Sequence, residues 1–379
     1  MNDAQAIEQT ASLPQPARRE WLRTVGRCLR YLATRGVTVF LTILVGIYAA
    51  IWVTNLGGFG DKARRDEIRI GIVMYFNQTK WYHELPLDER TELLETATES
   101  AFVANDLDQP FVLRSFRYFR QAFSLSLGMT TRSFHQSVPR PVRDVLIERV
   151  PMTLLMFGTA NLITFFAGLF IALGLSRRYG SALDRVTTLL VPVFAAPSWF
   201  HGIFLIVIFA SLLKILPFGG IVDASIPDTT FLYALSMLRH MILPVAAVVL
   251  GTLPFAVYAN RALFLIHSNE DYVELAKAKG LGARRLQRRY ILRPVLPPVI
   301  TNFAFIAIVA WQGIILTEEI FSWPGLGSLL IEAIHSYSVS LVIGTIVMFA
   351  YLMGASFLLL DVLYVLVDPR VTLGVGGRK

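Results

Sequence analysis

Residues 150–176 read VPMTLLMFGTANLITFFAGLFIALGLS and contain no Asp, Glu, Lys or Arg. As an α-helix rising about 1.5 Å per residue, this stretch is long enough to cross a hydrocarbon layer about 30 Å thick. A helix also satisfies its own backbone hydrogen bonds, as lipid requires. The stretch therefore predicts a transmembrane helix.

Five more windows of this kind occur along the chain. Of the 379 residues, 54% are hydrophobic and only 16% are charged, whereas a soluble domain has about 25% charged residues. The alternating pattern of a membrane β-barrel is absent from the sequence. We therefore predict an all-α integral membrane protein with six transmembrane helices, within the windows 36–60, 150–176, 186–213, 240–260, 294–317 and 333–360.

The distribution of Lys and Arg predicts the orientation of these helices. With the amino terminus in the cytoplasm, the four cytoplasmic segments hold 19 basic residues, and the two short outer loops hold only Lys214 and Arg239. Residues 61–149 carry 13 basic and 13 acidic residues, but long segments are translocated largely regardless of charge. Both termini are thus expected in the cytoplasm. The net charge of +8 indicates contact with anionic membrane lipid and not with nucleic acid.

These windows divide the chain into five parts. The outer insert opens with glycines, and we expect a helix over 86–106 with Asp88 as its N-cap, a loop over 131–141 and an amphipathic lead-in over 141–150. Its role, docking surface or lid, stays open. The parts are a cytoplasmic tail and amphipathic helix (1–35), a first transmembrane helix (36–56), an extracytoplasmic helical insert (57–149), a five-helix core with a cytoplasmic loop at 267–293 (150–367), and a cytoplasmic tail (368–379).

Two local features of the spans can be predicted. Residues 21–35 are either an amphipathic helix on the inner membrane surface or an extension of span one. Prolines remove backbone hydrogen bonds and kink helices, so spans three and four should be broken at Pro192, Pro197, Pro244 and Pro254.

The most informative loop lies between spans four and five. Residues 268–301 read SNEDYVELAKAKGLGARRLQRRYILRPVLPPVIT. Ser268 or Asn269 is expected to cap a short helix, Gly280 to stop it, and Gly282 to allow a second sharp turn. A second helix should follow, with a cluster of arginines that the positive-inside rule explains: Arg284, Arg285, Arg288 and Arg289.

This loop resembles the EAA loop of the membrane subunits of ATP-binding-cassette (ABC) importers. That loop reads Glu-Ala-Ala-x3-Gly, nine residues, then Ile-x-Leu-Pro. The chain keeps Glu274, Ala276, Gly280 and Leu292, and the run AKAKGL with its arginine-rich continuation is similar to the peptide and nickel permease branch. It departs from the pattern at Leu275, Tyr290 and Arg293.

Three further segments resemble the B-type subunit of that branch. The outer signature lacks the usual Asp-x-Pro after it, and the insert matches much less well. In chain order the segments are ERVPMTLLMFG (148–158), EEIFSWPGLGSLLIEAI (318–334) and DVLYVLVDPR (361–370).

The resemblance implies a type I ABC importer permease fold in the inner membrane of a prokaryote. It further implies a second homologous permease subunit forming a heterodimer, two cytoplasmic ABC ATPase subunits and an extracellular substrate-binding protein. Oligopeptides or dipeptides would be the cargo, moved by alternating access. The sequence contains no G-x4-G-K-[ST]. We therefore expect this chain to bind no cofactor, while the partner ATPases use ATP and Mg²⁺.

Two sets of site residues follow. The loop helix would contact an ATPase through Tyr272, Glu274, Ala276, Lys277, Ala278, Lys279, Gly280, Leu281 and Gly282, the alternative being plain loop structure. Polar groups within spans are costly and often face a water-filled path. The candidates for the substrate path are Asn161, Ser198, His201, Asn260, Trp311, Gln312, Glu318 and Glu319.

Each path candidate also has a structural alternative. His201 is an ordinary hydrogen-bonding residue and Trp311 a packing residue under that alternative. Glu318 and Glu319 either attract a peptide amino group, close an outer gate, or form a solvated pair of charges at a helix end.

Two other classes of protein are alternatives to an importer permease. An ion-coupled secondary transporter needs paired intramembrane carboxylates or inverted repeats, and an intramembrane enzyme needs a Ser/His, Asp/Asp or metal set. The sequence has no H-E-x-x-H or G-x-S-x-G, and its six histidines show no metal-ligand spacing. A non-catalytic transport subunit without a metal site is therefore expected.

Overall fold

The computed structural model describes residues 18–130, 140–225, 229–336 and 338–367. These residues form helices and the turns between them, and an isolated bridge joins Met129 to Pro141. The prediction of an all-α protein is confirmed for this part of the chain.

The helices are numbered here in chain order. A 3₁₀ turn follows α1, α8 continues as a π-helical segment, and a second π-helical segment joins α11 to α12. The bounds are α1 (Arg18–Thr54), α2 (Phe59–Asn77), α3 (Lys80–Glu84), α4 (Leu87–Ala104), α5 (Phe111–Phe123), α6 (Val142–Ser176), α7 (Ala182–Val193), α8 (Ser198–Leu205, then Ile206–Leu212), α9 (Thr230–Ser268), α10 (Asp271–Ala278), α11 (Ala283–Arg285, then Leu286–Leu292), α12 (Arg293–Ile320), α13 (Leu326–His335) and α14 (Val339–Val367).

Four helices of the described residues are long and apolar enough to cross a membrane. They contain the segments Cys28–Thr54, Val142–Ser176, Thr230–Ser268 and Val339–Leu363. The pair α7 and α8, bent by 101°, makes a fifth span if it is counted as one. The window 294–317 lies within α12. The number of six spans stays a prediction.

The prolines of spans three and four have different outcomes. Span three is broken as expected, because α7 ends at Val193 and α8 begins after Pro197. Span four is not broken, since Pro244 and Pro254 both lie inside the continuous helix α9. Packing of α9 along α6 on both sides of Pro244 holds the helix together despite the missing hydrogen bond.

The chain divides into two compact units. The first comprises residues 1–42 and 354–379. In it, the Tyr31 hydroxyl donates a hydrogen bond to Asp361 (3.4 Å), and the Arg35 Nε lies 4.0 Å from the same carboxylate. Because α1 is one uninterrupted helix from Arg18 to Thr54, residues 21–35 extend span one and do not form a separate helix.

The second unit, residues 43–353, has its core between α6 and α9. Small side chains let these helices approach closely, as is common in membranes. A Cβ added to Gly168 would lie 3.1 Å from the Ala256 Cβ. The hydroxyls of Thr164 and Thr252 are 2.9 Å apart.

Most of the described insert is helical. The helix expected over 86–106 is α4, but its N-cap is Pro86, and Asp88 lies in the first turn. The prediction of Asp88 as the N-cap is therefore wrong by two residues. The lead-in over 141–150 is continuous with span two in α6, as expected. Of the loop expected over 131–141, residues 131–139 lie outside the described part.

Candidate functional site

The loop between spans four and five folds into a short helix, α10. Its N-cap is Glu270, which makes no side-chain capping bond. The sequence predicts Ser268 or Asn269 as the cap, but Ser268 is the last residue of α9, where its hydroxyl donates to the carbonyl of Phe264, and Asn269 is the C-cap of α9. Ser268 therefore completes the preceding helix, and the prediction of a side-chain cap is wrong.

The carboxyl end of α10 is closed by Gly280. Its N–H donates to the Lys277 carbonyl (2.9 Å), and the Leu281 N–H donates to the Ala276 carbonyl (3.3 Å). This pair of bonds is a Schellman motif, which requires the left-handed backbone that Gly280 adopts at φ 75°. Gly280 thus stops the helix as predicted. Gly282 has φ −60°, a value open to any residue, so the second turn does not depend on glycine.

One face of α10 packs against its own chain. Val273 and Ala276 are buried on Leu286, with Leu281, Tyr290 and Ile291 around them. Ala276 was predicted to contact an ATPase, but it is buried against residues of its own loop, where its small side chain lets α10 approach the segment around Leu286. We call residues 271–292, with this buried cluster at their centre, the elbow.

The rest of the surface of α10 is exposed. It carries Tyr272 and Leu275, which are three positions apart and therefore neighbours on a helix, and Leu275 is 58% exposed. Partial burial raises the pKa of the Tyr272 hydroxyl, and the nearby Glu270 adds to the shift. The remaining exposed predicted residues are Glu274, Lys277, Ala278, Lys279, Gly280 and Gly282.

Leu275 is absent from the sequence-based set of coupling residues. In the comparison of this loop with the EAA loop, Leu275 stands only as a departure from the pattern. Its helical phase was the signal, since Leu275 lies about 160° around the helix from the buried Val273. An open cavity of about 710 Å³ lies beside the elbow, lined in part by Arg177, Lys277 and Gln287.

The polar residues predicted for the substrate path are mostly buried between helices of this chain. The Asn161 amide donates to the Phe157 carbonyl of its own helix (2.9 Å). Ser198 packs against Gly251, and His201 stacks on the Phe194 ring. Asn260 lies near Gly168 with its Oδ1 buried and without a hydrogen-bond partner.

Two further path candidates, Trp311 and Gln312, lie in α12, but their side chains are outside the described part. Together with Glu318, described below, the structure therefore buries five of the eight candidates within the subunit. His201 stacks on Phe194, but its buried Nδ1 has no hydrogen-bond partner among the described residues.

Glu318 and Glu319 have opposite environments. Glu319 is exposed, whereas Glu318 is fully buried. The Glu318 carboxylate accepts hydrogen bonds from the Thr153 hydroxyl (2.7 Å) and the Gly327 N–H (2.6 Å). The prediction of a solvated pair is wrong for Glu318, because the first turn of α13 presents unpaired N–H groups that a carboxylate satisfies.

The two glycines of WPGLG (residues 323–327) leave the space that this contact needs. A Cβ on Gly325 would come 2.2 Å from the Glu318 Oε1, and one on Gly327 would come 2.5 Å from the Ile315 Cα. The Thr153 hydroxyl in turn accepts from the Leu326 N–H (2.8 Å). Residues 318–327 of the outer signature thus hold α6, α12 and α13 closely together, and we call this contact the outer junction.

Sequence comparison decides the family. Residues 164–373, more than half of the chain, match the family described as binding-protein-dependent transport system inner membrane component. The chain belongs to this family. It is a permease, a multi-pass membrane protein, and the resemblance carried by the EAA-like loop and the three flanking segments is confirmed.

Several curated relatives of the permease are named for peptide transport. The di/tripeptide transport system permease protein DppB of Pseudomonas aeruginosa is 35% identical over 286 residues, which cover 70% of this chain and 82% of the relative. The probable D,D-dipeptide transport system permease protein DdpB of Escherichia coli is 28% identical, with 78% and 91% covered. The oligopeptide transport system permease protein AppB of Bacillus subtilis is 28% identical, with 64% and 77% covered.

Among solved structures, a chain of the inward-facing MetNI methionine ABC transporter is similar with a TM-score of 0.43 at 17% identity. The match covers 62% of the permease and 98% of that chain.

Proposed function

We propose that this permease forms half of the translocation pathway of an ATP-driven importer for oligopeptides or dipeptides. The relatives named for di/tripeptide, D,D-dipeptide and oligopeptide transport support the cargo class. Membership of a binding-protein-dependent family supports delivery of the cargo by an extracellular binding protein.

The proposed assembly contains a second homologous permease in a heterodimer and two cytoplasmic ABC ATPases. Because the sequence lacks a phosphate-binding G-x4-G-K-[ST] motif, ATP and Mg²⁺ would act at the ATPases, and this subunit would be non-catalytic. We further propose six spans in the type I importer arrangement, with both termini cytoplasmic in the inner membrane of a prokaryote and an insert on the outer side.

One observation carries the mechanism: α10 exposes the apolar side chains of Tyr272 and Leu275 beside its buried anchor. Tyr272 and Leu275 would enter a groove on an ATPase, with Glu274, Lys277 and Lys279 around them. Val273 and Ala276 fasten α10 to the segment Leu286–Leu292, which runs into α12 without a break. ATPase closure would therefore move α12 and bias the bundle between inward-open and outward-open states.

For the substrate path, the contacts of Asn161 and Ser198 support packing roles within the subunit. Glu318 likewise acts as a structural acceptor. The unpaired polar atoms of His201 and Asn260 keep these two residues as candidates for the path. Trp311 and Gln312 stay predictions from the sequence, and exposed Glu319 remains a candidate for attracting a peptide amino group.

Substitution of Leu275 tests this function. The side chain is exposed, so Leu275→Asp should leave the permease folded in the membrane. It should remove the ATPases from the purified complex and abolish uptake of a labelled dipeptide. Leu275→Met should retain both properties.

Val103→Asp is the matched control, since Val103 is 57% exposed on α4 in the insert. It should retain the ATPases. Full dipeptide uptake and normal ATPase content in Leu275→Asp would contradict the coupling role of the elbow.

A further inference from the structure

Two neighbouring cavities lie where α1 ends and α14 begins. The first, which we call the polar pocket, has a volume of about 40 Å³ and carries the polar side chains of Arg64, Gln121 and other residues on its wall. The second, the apolar groove, has a volume of about 300 Å³. Thr54, Gly60 and Val339 line both cavities. Together the cavities offer a polar end and an apolar end to one ligand.

Arg64 brings a positive charge to the polar pocket. Its side chain is half-buried on the pocket wall, and its Nη1 donates a hydrogen bond to the Ser340 hydroxyl. Its Nε is buried without a hydrogen-bond partner, and among the described residues the guanidinium makes no ion pair. Because a guanidinium has five N–H donors, Arg64 retains donors for a ligand.

The acidic residues near Arg64 are engaged elsewhere. Asp61 also lines the polar pocket, but its two oxygens accept from the buried Arg114 guanidinium at 2.8 and 2.6 Å. Glu67, one turn after Arg64 on α2, is buried and accepts from the Ser338 hydroxyl (3.0 Å), and it lines neither cavity. The charge of Arg64 is therefore available to an anionic group in the pocket.

The apolar groove is formed by α1, α2, α13 and α14 and the turn after α1. The described residues that line it carry no charge. Three of its side chains are at least half exposed: Val53 at 63%, Leu56 at 65% and Ile334 at 50%. Its volume lies at the lower end of the range of about 300–1,000 Å³ that is typical of ligand sites. An apolar chain fits this lining.

Both cavities lie at the level of lipid headgroups. The apolar segments Cys28–Thr54 and Val339–Leu363 have 27 and 25 residues, or about 40 and 38 Å of helix. A bilayer with its headgroups measures about 40–45 Å, so Thr54 and Val339, at the ends of these segments, lie at the headgroup boundary. A polar pocket beside an apolar groove at this boundary matches an amphiphile with its head towards water.

We propose that the polar pocket and the apolar groove together bind one phospholipid, with its phosphate on Arg64 and an acyl chain in the groove. A guanidinium recognises phosphate through two parallel N–H groups. Tyr118, Gln121 and Ser340 supply neutral hydrogen-bonding groups on the pocket wall. The membrane itself supplies phospholipid at this level. The bound lipid would join the insert helix α2 to spans one and six, whatever the cargo and the coupling role of the elbow.

Photocrosslinking tests this site in the complete transporter, purified and reconstituted into liposomes. The probe is phosphatidylglycerol with a diazirine on one acyl chain, and labelled residues are mapped by mass spectrometry. Labelling of Ile334 and Val342 in the groove should fall at least fivefold in Arg64→Gln. Arg69→Gln is the matched control, since Arg69 is exposed on the same helix and lines neither cavity. Labelling at Val45, 69% exposed on α1, should be equal in all variants and reports an intact protein in the bilayer.

A second variant and two further lipids make the test specific. Ile334→Asp, at an exposed position, places a charge in the groove and should lower the labelling of Val342 at least fivefold. A diacylglycerol with the same diazirine chain and no phosphate should label the groove at least fivefold less than phosphatidylglycerol. An excess of oleate should leave the labelling unchanged.

Three results would overturn the phospholipid site. Equal groove labelling in the wild type and Arg64→Gln, or by the two diazirine lipids, would show that the phosphate is not recognised. Displacement by oleate would assign the polar pocket to a carboxylate. Absence of groove labelling in the wild type would mean that a protein covers the groove.

Discussion

At the scale of single residues, Glu318 links three segments through one carboxylate. It accepts from the Thr153 hydroxyl on α6 and from the Gly327 and Ser328 N–H groups on α13, while lying on α12 itself. Its removal leaves these buried donors without an acceptor. An unsatisfied buried donor costs about 1–3 kcal/mol, so this one side chain stabilises the junction.

We therefore expect Glu318→Ala to destabilise the permease by about 3 kcal/mol, seen as a lower midpoint of thermal unfolding for the purified complex. Exposed Glu319→Ala is the control and should change stability by less than about 0.5 kcal/mol. Equal midpoints for the two variants would show that the hydrogen bonds of Glu318 do not stabilise the outer junction.

At the scale of elements, α10 depends on its stop signal. A Cβ at Gly280 would meet no atom within 4 Å, so a substitution there acts through the backbone alone. Left-handed backbone costs an L-residue about 1–2 kcal/mol, and Asn tolerates it best. The Schellman bonds also hold Leu281 in the buried cluster of the elbow.

Gly280→Val should consequently loosen the elbow and reduce dipeptide uptake severalfold, while the amount of permease in the membrane stays the same. Gly280→Asn should retain most of the uptake. Both quantities are measured in the same cells by transport of a labelled dipeptide and by immunoblotting. A Val variant as active as the Asn variant would mean that the left-handed turn is not needed for coupling.

At the scale of the whole molecule, the proposed orientation places the elbow and α4 on opposite sides of the membrane. In a Cys28→Ser background, Lys279→Cys should react with an impermeant maleimide only after spheroplasts are permeabilised. Val103→Cys should react in intact spheroplasts. Labelling of Lys279→Cys from outside would contradict the orientation predicted from the 19 cytoplasmic basic residues.

Features that depend on a single helix could be predicted from the sequence. The apolar windows, the break at Pro197 and the stop at Gly280 are local, because each follows from the hydrogen bonds or backbone angles of a few neighbouring residues. Continuous α9 was missed, since packing against α6 overrides the effect of Pro244 on its own helix. Ser268 was predicted at the start of α10 but lies at the end of α9, because a hydroxyl can hydrogen-bond the backbone at either end of a helix.

The sequence by itself determined the helical class, the positions of the apolar segments and the loop that carries the family resemblance, because hydrophobicity and charge act on each segment separately. Only the tertiary structure decided which side chains face which neighbour. Glu318 is buried because α13 folds back over it, and Leu275 is exposed because α10 packs on Leu286 through Val273 and Ala276. Helix α5 packs against α1 and α14, which are more than 280 residues apart in the chain. Such contacts join residues distant in sequence, and no local pattern encodes them.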